Sequence, residues 1–422
     1  MKSPKKYGVK TAIVATAVTA LFVSNVITTL APNQANAASS STRNVILFIG
    51  DGMGTAQRDA IRLATVGEKG NLAMDSMPYV GLIHTSSTVP ITDSAASATA
   101  YASGVKTYNG AIGMDANKKS VQTIMEYAKS AGKSTGIVTT SQITDATGAA
   151  FGAHVEDRSK QSDIALQLLT KSKVDVLLGG GEDFWYPAGS PGKFPDEPAE
   201  DPSEKSKGTQ GNLVDKAKQL GYTYVTNKTD MQKAKNGKLL GLFANEEMFQ
   251  QKPEGEGDIY NPVVSLPEMT KKAIDTLASN KNGFFLMVEE EGTDEFAHQN
   301  NAKMTIKAGQ ELDKSVQVAK DFAKKNPDTL VLVLADHETG GFSIEAVDEE
   351  DESGDSISQE DGPFAIANSK LNFVVDWTTS GHTAVDIPIT AMGKNAQLFT
   401  GIYENTEVFT KLMQALDFKV KK

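Results

Sequence analysis

The chain has no cysteine in its 422 residues. That excludes disulfides, thiolate metal ligands and a cysteine nucleophile. It also excludes a sulfatase that matures a cysteine into formylglycine. Histidine is scarce, with five in the chain, so any histidine that falls into a motif carries information. A positive balance is missing as well. The formal net charge is −11, although Lys2, Lys5, Lys6 and Lys10 place four positive charges and no acid in the N-terminal segment. The rest is therefore more acidic still, which argues against nucleic acid or an anionic membrane as a general partner. An anionic substrate would need a locally positive site, and bound metal ions would supply one. Beyond the N-terminal segment no second long hydrophobic run occurs, so no stable membrane span is expected after that segment is removed.

What is present begins with that segment. The basic stretch is followed by the uncharged residues 11–30, then Pro32, then the small-residue sequence Ala35-Asn36-Ala37. This pattern reads as a signal peptide over residues 1–37, and predicts an exported protein, secreted or periplasmic. Residues 38–422 then form the working domain. Apolar, β-rich runs lie at 44–49 (NVILFI), 134–139 (STGIVT), 174–178 (VDVLL), 283–288 (GFFLMV) and 329–334 (TLVLVL). Helical patterns occupy 120–131, 162–169, 266–278 and 305–324. Alternation of buried strands with helices predicts an α/β three-layer sandwich around a central, mainly parallel sheet. Two stretches interrupt it. Residues 182–212, rich in Pro, Gly and acids, suit a surface excursion. Residues 345–361 (EAVDEEDESGDSISQED) suit a solvated loop, and their Asp and Gly spacing does not fit an EF-hand.

Ligands of open α/β sheets gather beyond the carboxyl ends of strands. Asp51 follows the first run. Asp145 and Thr147 follow the second, Glu289 follows GFFLMV, and Asp336-His337 follows TLVLVL. Asp294 and His298 are four apart and share a face of a helical turn. His382 lies in the flexible setting Ser380-Gly381-His382-Thr383. Imidazole with carboxylate suits zinc or a similar ion, and the oxygen-only set Asp51, Thr147 and Glu289 suits magnesium. In Asp93-Ser94-Ala95-Ala96-Ser97-Ala98-Thr99-Ala100 a carboxylate precedes a serine at a helix start, where free N–H groups and the helix dipole favour an anion.

These motifs together resemble a bacterial alkaline phosphatase: Ile49-Gly50-Asp51-Gly52-Met53-Gly54, Thr92 to Ala100, Asp145-Ala146-Thr147 with Ala153-His154 and Arg158, Glu289 with Asp294 and His298, Ala335 to Gly341, and Gly381-His382-Thr383. The resemblance implies two Zn2+ and one Mg2+ per subunit. Asp294, His298 and His382 match ligands of the first zinc; Asp51, Asp336 and His337 those of the second, which also binds Ser94. Asp51, Thr147 and Glu289 match the magnesium ligands, with Asp145 ordering magnesium-bound water. Ser94 matches the nucleophile that becomes a phosphoserine, and Arg158 the phosphate-holding guanidinium, oriented by Asp93. The substrates implied are phosphate monoesters, hydrolysed at alkaline pH. A homodimer is implied by resemblance alone. Glu295 departs from the Lys, Trp or His of many relatives, and Glu290 and Glu291 crowd Glu289; the five-residue spacing to Asp294 favours Glu289 as ligand. His84 and His154 are assigned no catalytic role. A diesterase or mutase of the same superfamily, and a secreted phosphate- or metal-binding protein without turnover, are the competing readings. Arg158 argues against the former and Ser94 against the latter.

Overall fold

A computed structural model describes residues 41–194, 205–249, 259–348, 350–354 and 358–419. The signal-peptide assignment over residues 1–37 lies outside the described residues, as do parts of the two interrupting stretches. Fifteen strands occur among the described residues, in chain order β1 (Asn44–Gly50), β2 (Tyr79–His84), β3 (Ser134–Gln142), β4 (Val176–Gly180), β5 (Thr223–Val225), β6 (Leu239–Leu242), β7 (Phe284–Glu290), β8 (Thr329–Leu334), β9 (Glu338–Thr339), β10 (Ser343–Glu345), β11 (Asp361–Ala365), β12 (Asn372–Asp376), β13 (His382–Thr383), β14 (Ile387–Gly393) and β15 (Gly401–Glu404). Ten of them form one sheet in the order β15-β2-β14-β8-β1-β7-β3-β4-β6-β5. Only β14 runs against its neighbours, pairing antiparallel with β2 and β8. The sheet is thus mixed but overwhelmingly parallel.

The central strands are buried along their whole length. Every residue of β1, β7 and β8 is inaccessible, which is the pattern of a parallel sheet covered on both faces. One helical layer contains Leu266–Leu277 and Ala302–Lys325, packed on β1, β3, β7 and β8. The other contains Ser94–Ser103, Ile124–Ser130, Ala146–Ala149 and Thr406–Ala415. The three-layer arrangement follows. The 305–324 pattern becomes the 24-residue helix Ala302–Lys325, capped by Asn301, whose side chain accepts from Met304 N. The pattern at 120–131 begins later than expected, at Ile124. There Thr123 and Glu126 form a reciprocal capping box, and Ser120 is instead drawn into a β-bridge with Met114.

The stretch starting at 182 is not wholly a surface excursion. Glu182, Asp183 and Trp185 are buried, because Trp185 joins the main core. The acidic stretch is bounded by β10 and β11, two strands of a small antiparallel sheet ordered β10-β12-β11.

Register aligns the carboxyl ends of the central strands. Ile49 of β1 lies opposite Glu289 of β7 and Leu334 of β8, and Thr139 of β3 lies opposite Glu289 from the other side. Whatever follows these strands therefore emerges along one edge of the molecule. A separate two-stranded ladder pairs His382 with Thr339 and Thr383 with Glu338. It brings the segment after β8 and the segment before β14 to that same edge.

Candidate active site

Asp51, the first residue after β1, is fully buried. Its backbone is clamped: its N–H donates to the Glu290 carbonyl at 3.0 Å, and its carbonyl accepts from Thr293 Oγ1 at 2.5 Å. Gly52 follows with φ +61°, and a Cβ there would stand 2.5 Å from Asp294 Oδ1. Only glycine lets the turn after β1 pass this close to a second acidic segment. Thr147 Oγ1 donates to Asp51 Oδ2 at 3.1 Å. Asp51 Oδ1 is buried with no hydrogen-bond partner. Burial, and then the charges of Asp336, Asp294 and Glu289, push the Asp51 carboxyl well above its usual range.

Asp336 Oδ1 accepts from the N–H groups of Gly52 (3.1 Å) and His337 (3.0 Å). Its Oδ2 has no donor and lies 3.3 Å from His337 Nε2. That same Nε2 is 3.2 Å from Ser94 Oγ and 3.6 Å from Asp51 Oδ1. Ser94 is the first residue of the helix Ser94–Ser103, and Asp93 is its N-cap, accepting from Ala96 N at 2.9 Å. The serine thus stands at a helix N-terminus beside the histidine and both acids.

Two further histidines, His298 and His382, complete the group. His298 Nδ1 lies 2.6 Å from the Ser380 carbonyl, and His382 Nδ1 lies 2.9 Å from the Thr92 carbonyl. A carbonyl can only accept, so each Nδ1 carries a proton, and Nε2 is the ring atom that each histidine turns to the cluster. Those two Nε2 atoms face each other at 3.1 Å. Asp294 Oδ2 is 3.2 Å from His298 Nε2, and its Oδ1 is 3.9 Å from His382 Nε2. The His337 and His382 rings stack with centroids 3.6 Å apart. Burial works against ionisation of Asp294, but the hydrogen bond and charge of His298, with His337 and His382, hold it below the usual carboxylate range.

Among the described residues four donor groups could each hold a cation, and three of them lie here: Asp294, His298 and His382; Asp51, Asp294 and His337; and Asp51, Glu289 and Glu291; the fourth, Glu345, Glu352 and Asp376, belongs to the small sheet. The fit rests on the orphaned atoms. Asp51 Oδ1, both Glu289 oxygens, Glu291 Oε2 and Asp336 Oδ2 are buried acceptors without donors. Such atoms are costly unless a cation or proton satisfies them. The structure brings Asp51, Ser94, Thr147, Glu289, Asp294, His298, Asp336, His337 and His382 to one edge of the sheet. Asp145 is placed differently: both its oxygens accept from Arg158 Nη2, at 3.0 and 2.9 Å. Asp93 is a looser neighbour of Arg158, at 3.8 Å from Nη1. The Arg158 side chain remains 34% exposed.

His84 pairs with Asp386 near the surface, and His154 lies between Glu126 (3.0 Å) and the Gly113 carbonyl (2.8 Å). Neither touches the cluster. The sequence motifs do not single out Glu291 or Thr339 as members of the site. Thr339 Oγ1 donates to Asp294 and lies 3.2 Å from His337 Nδ1. Its signal is its place within the Asp336 to Gly341 motif, two residues after His337.

A mixed α/β sheet with a serine at a helix N-terminus and three adjoining carboxylate and imidazole groups defines a metal-dependent hydrolase. The comparisons with known proteins narrow this. The alkaline phosphatase family profile matches residues 42–370 and again 353–418. Alkaline phosphatase 4 of Bacillus subtilis is 35% identical, over 86% of this chain and 87% of its own. Alkaline phosphatase of Escherichia coli is 33% identical, over 89% and 86%. A mutant of the alkaline phosphatase from the Antarctic bacterium TAB5, with Mg bound in its M3 site, superposes with a TM-score of 0.70 at 31% identity, covering 90% of this chain and 99% of its own. The chain belongs to the alkaline phosphatase family. It is a metal-dependent phosphatase, and phosphate monoesters are the substrates its family fits.

Proposed function

We propose that the chain is an exported phosphomonoesterase that works through a phosphoserine at Ser94 with an alkaline pH optimum. The observation that carries this is the convergence on Ser94 Oγ of His337 Nε2 at 3.2 Å, with the bare acceptors of Asp51 and Asp336 just behind it. Asp294, His298 and His382 would hold one zinc, and Asp51, Asp336 and His337 a second, since both sets mix nitrogen with oxygen. The oxygen-only set Asp51, Thr147 and Glu289 would hold magnesium. When bound, the ions supply positive charge that acidifies hydroxyl and water oxygens and offsets charge on the leaving oxygen.

Ser94 Oγ attacks phosphorus, the ester P–O bond breaks, and the alcohol leaves with a proton. Water then attacks the phosphoserine, returning the Ser94 hydroxyl and inorganic phosphate. The N-terminus of the helix Ser94–Ser103 faces the transferred group with free N–H donors. Arg158, anchored on Asp145 through Nη2, keeps its other guanidinium N–H groups to pair with two phosphate oxygens. Both nucleophiles are O–H groups that must lose a proton, which supports an alkaline optimum. Export after Ala37 is supported by the composition of residues 1–37, and homodimer assembly by the resemblance.

The test is phosphate release from a mono-aryl phosphate ester across pH, with zinc and magnesium and after exhaustive chelation, joined to acid trapping of labelled phosphate on the protein. Metal-dependent release and label on Ser94 are expected. A labelled Ser94→Ala protein, or full turnover after confirmed metal loss, would overturn the reading.

A further inference from the structure

Residues Glu289, Glu290 and Glu291 form three consecutive glutamates, exposed by 0%, 0% and 4%. The resemblance gives a metal role to the first alone. We propose that Glu291 is a direct ligand of the hard divalent cation held by Asp51 and Glu289, so that this pocket carries a carboxylate beyond the Asp51, Thr147 and Glu289 set. The inference rests on the reading of that pocket as a cation site.

Glu291 contributes an oxygen to a set in which one oxygen each of Asp51, Glu289 and Glu291 lie within 4.8 Å of one another. The set is more than a patch of acids, because its atoms are orphaned. Asp51 Oδ1, both Glu289 oxygens and Glu291 Oε2 are buried and accept no hydrogen bond. The Glu291 backbone is fixed. Its N–H donates to Thr140 Oγ1 at 3.0 Å, and its carbonyl accepts from Asp294 N at 2.9 Å. The peptide that aims Glu291 therefore also aims Asp294 of the neighbouring pocket. Arg158 is a nearby cation, but its Nη2 bonds Asp145 and its Nη1 lies toward Asp93, and Glu291 Oε2 accepts from neither. Three buried carboxylates at this spacing persist only with a cation among them or with protons shared between them. An oxygen-only site with several carboxylates suits a hard ion.

Cation and shared proton make opposite predictions for Glu291→Gln. Glutamine keeps the shape of a protonated glutamic acid and loses the charge. The protein is first loaded with zinc and dialysed free of magnesium. Mg2+ is then titrated by calorimetry, and zinc and magnesium per chain are counted by elemental analysis. Wild type should take up one Mg2+, and Glu291→Gln should bind it roughly tenfold more weakly or worse at unchanged zinc content. With all metal removed, Glu291→Gln should melt above wild type at about pH 9, where the crowded carboxyls lose their protons, because one buried charge is gone. A purely structural hydrogen-bonding role would not raise that melting temperature. Equal Mg2+ affinity in variant and wild type overturns the proposal and leaves the phosphatase reading intact. Absence of Mg2+ uptake by wild type overturns both the proposal and the magnesium assignment. If Glu291→Gln does not fold, Glu291→Ser replaces it under the same criterion: weaker Mg2+ binding supports the role, and unchanged binding overturns it.

Discussion

Glu290 and its two neighbours are alike in type, burial and place in the chain, yet they live in opposite conditions. Successive side chains at the end of β7 point to opposite sides. Glu290 is saturated: Oε1 accepts from Thr140 Oγ1 (2.8 Å) and Gly292 N (3.1 Å), and Oε2 accepts from Tyr260 Oη (2.5 Å). Glu289 and Glu291 turn to the other side, toward Asp51, and carry acceptors with no donor at all. Thr139 and Thr147 stand close to Glu289 without completing a hydrogen bond to it. Burial pushes the Glu290 carboxyl up to about 8 and that of Glu289 to about 7, Asp145 adding to the latter. Similar titration thus conceals different roles. The protein satisfies the first acid itself, whereas the others are left for a bound cation or a shared proton to finish. Hydrogen-bond saturation, rather than burial or charge, separates the structural carboxylate from the site-facing ones.

The harshest trial of that distinction is removal of whatever finishes the site-facing side. Chelation should take activity on a mono-aryl phosphate to background and lower the melting temperature by roughly 10 °C. Calorimetry and an assay on the same sample check both, and readdition of zinc and magnesium should restore them. A chelated protein with unchanged melting and turnover would show that the orphaned acceptors are tolerated empty. Next in size is Ser94→Ala, which removes the hydroxyl on the site-facing side but leaves the metal-binding carboxylates and imidazoles. Steady-state turnover should fall by about three orders of magnitude with melting almost unmoved. A fall of less than tenfold would detach Ser94 from the chemistry.

The saturated side is probed by Glu290→Ala. It strands Thr140 Oγ1, Tyr260 Oη and the Gly292 N–H, so denaturant unfolding should show a loss of about 3 kcal/mol. The folded variant should keep turnover within a few-fold of wild type. A large loss of turnover at unchanged stability would move Glu290 into the site and erase the contrast.

Much of this contrast is legible in the chain itself. β1, β7 and β8 are built on continuous apolar runs because both faces are covered; β1 and β8 stop where the runs end, whereas β7 continues through Glu289 and Glu290. Those ends lead directly to Asp51, Glu289, Asp336 and His337. The outlying strand β2, between β15 and β14, gives no such signal: its residues alternate between buried and accessible, and its Gly81 interrupts the run. β14 is the single reversed strand of the large sheet, and no local pattern announces a reversal of direction. The Nδ1 partners of His298 and His382 are the carbonyls of Ser380 and Thr92. Backbone acceptors belong to no residue type, so composition cannot reveal them. Glu291 is hidden for a related reason. Which side of the strand it faces depends on where β7 stops, and a run of three identical residues does not mark the place.

The finest expected effect is a pH trend in the metal-free protein. The Glu289 carboxyl rises from 4.5 to about 7 in the folded chain and that of Glu290 from 4.5 to about 8, with Asp51 and Glu291 shifted the same way, in each case first by burial. A raised carboxyl keeps its proton longer in the folded state than in the unfolded state. Its contribution is complete below pH 4.5 and is lost as pH rises through the folded value. His298, held up to about 9 because Asp294 outweighs its burial, likewise contributes below about 6.5 and fades toward 9. These groups push in one direction; His337, held below its ordinary 6.5 by burial, opposes them at the acid end, so metal-free protein should melt progressively lower mainly from about pH 7 to about pH 9. Bound cations favour the ionised carboxylates and the neutral imidazoles, which reverses the trend for the loaded protein. The gap in melting temperature between loaded and metal-free protein should therefore widen across that range, by roughly 5 °C or more. Glu290 sharpens the result: because its donors are built in, Glu290→Gln should flatten the metal-free slope near pH 8 without altering the gain from metal. A gap that stays constant across the whole range would mean that the two sides of the β7 end differ in geometry but not in energy.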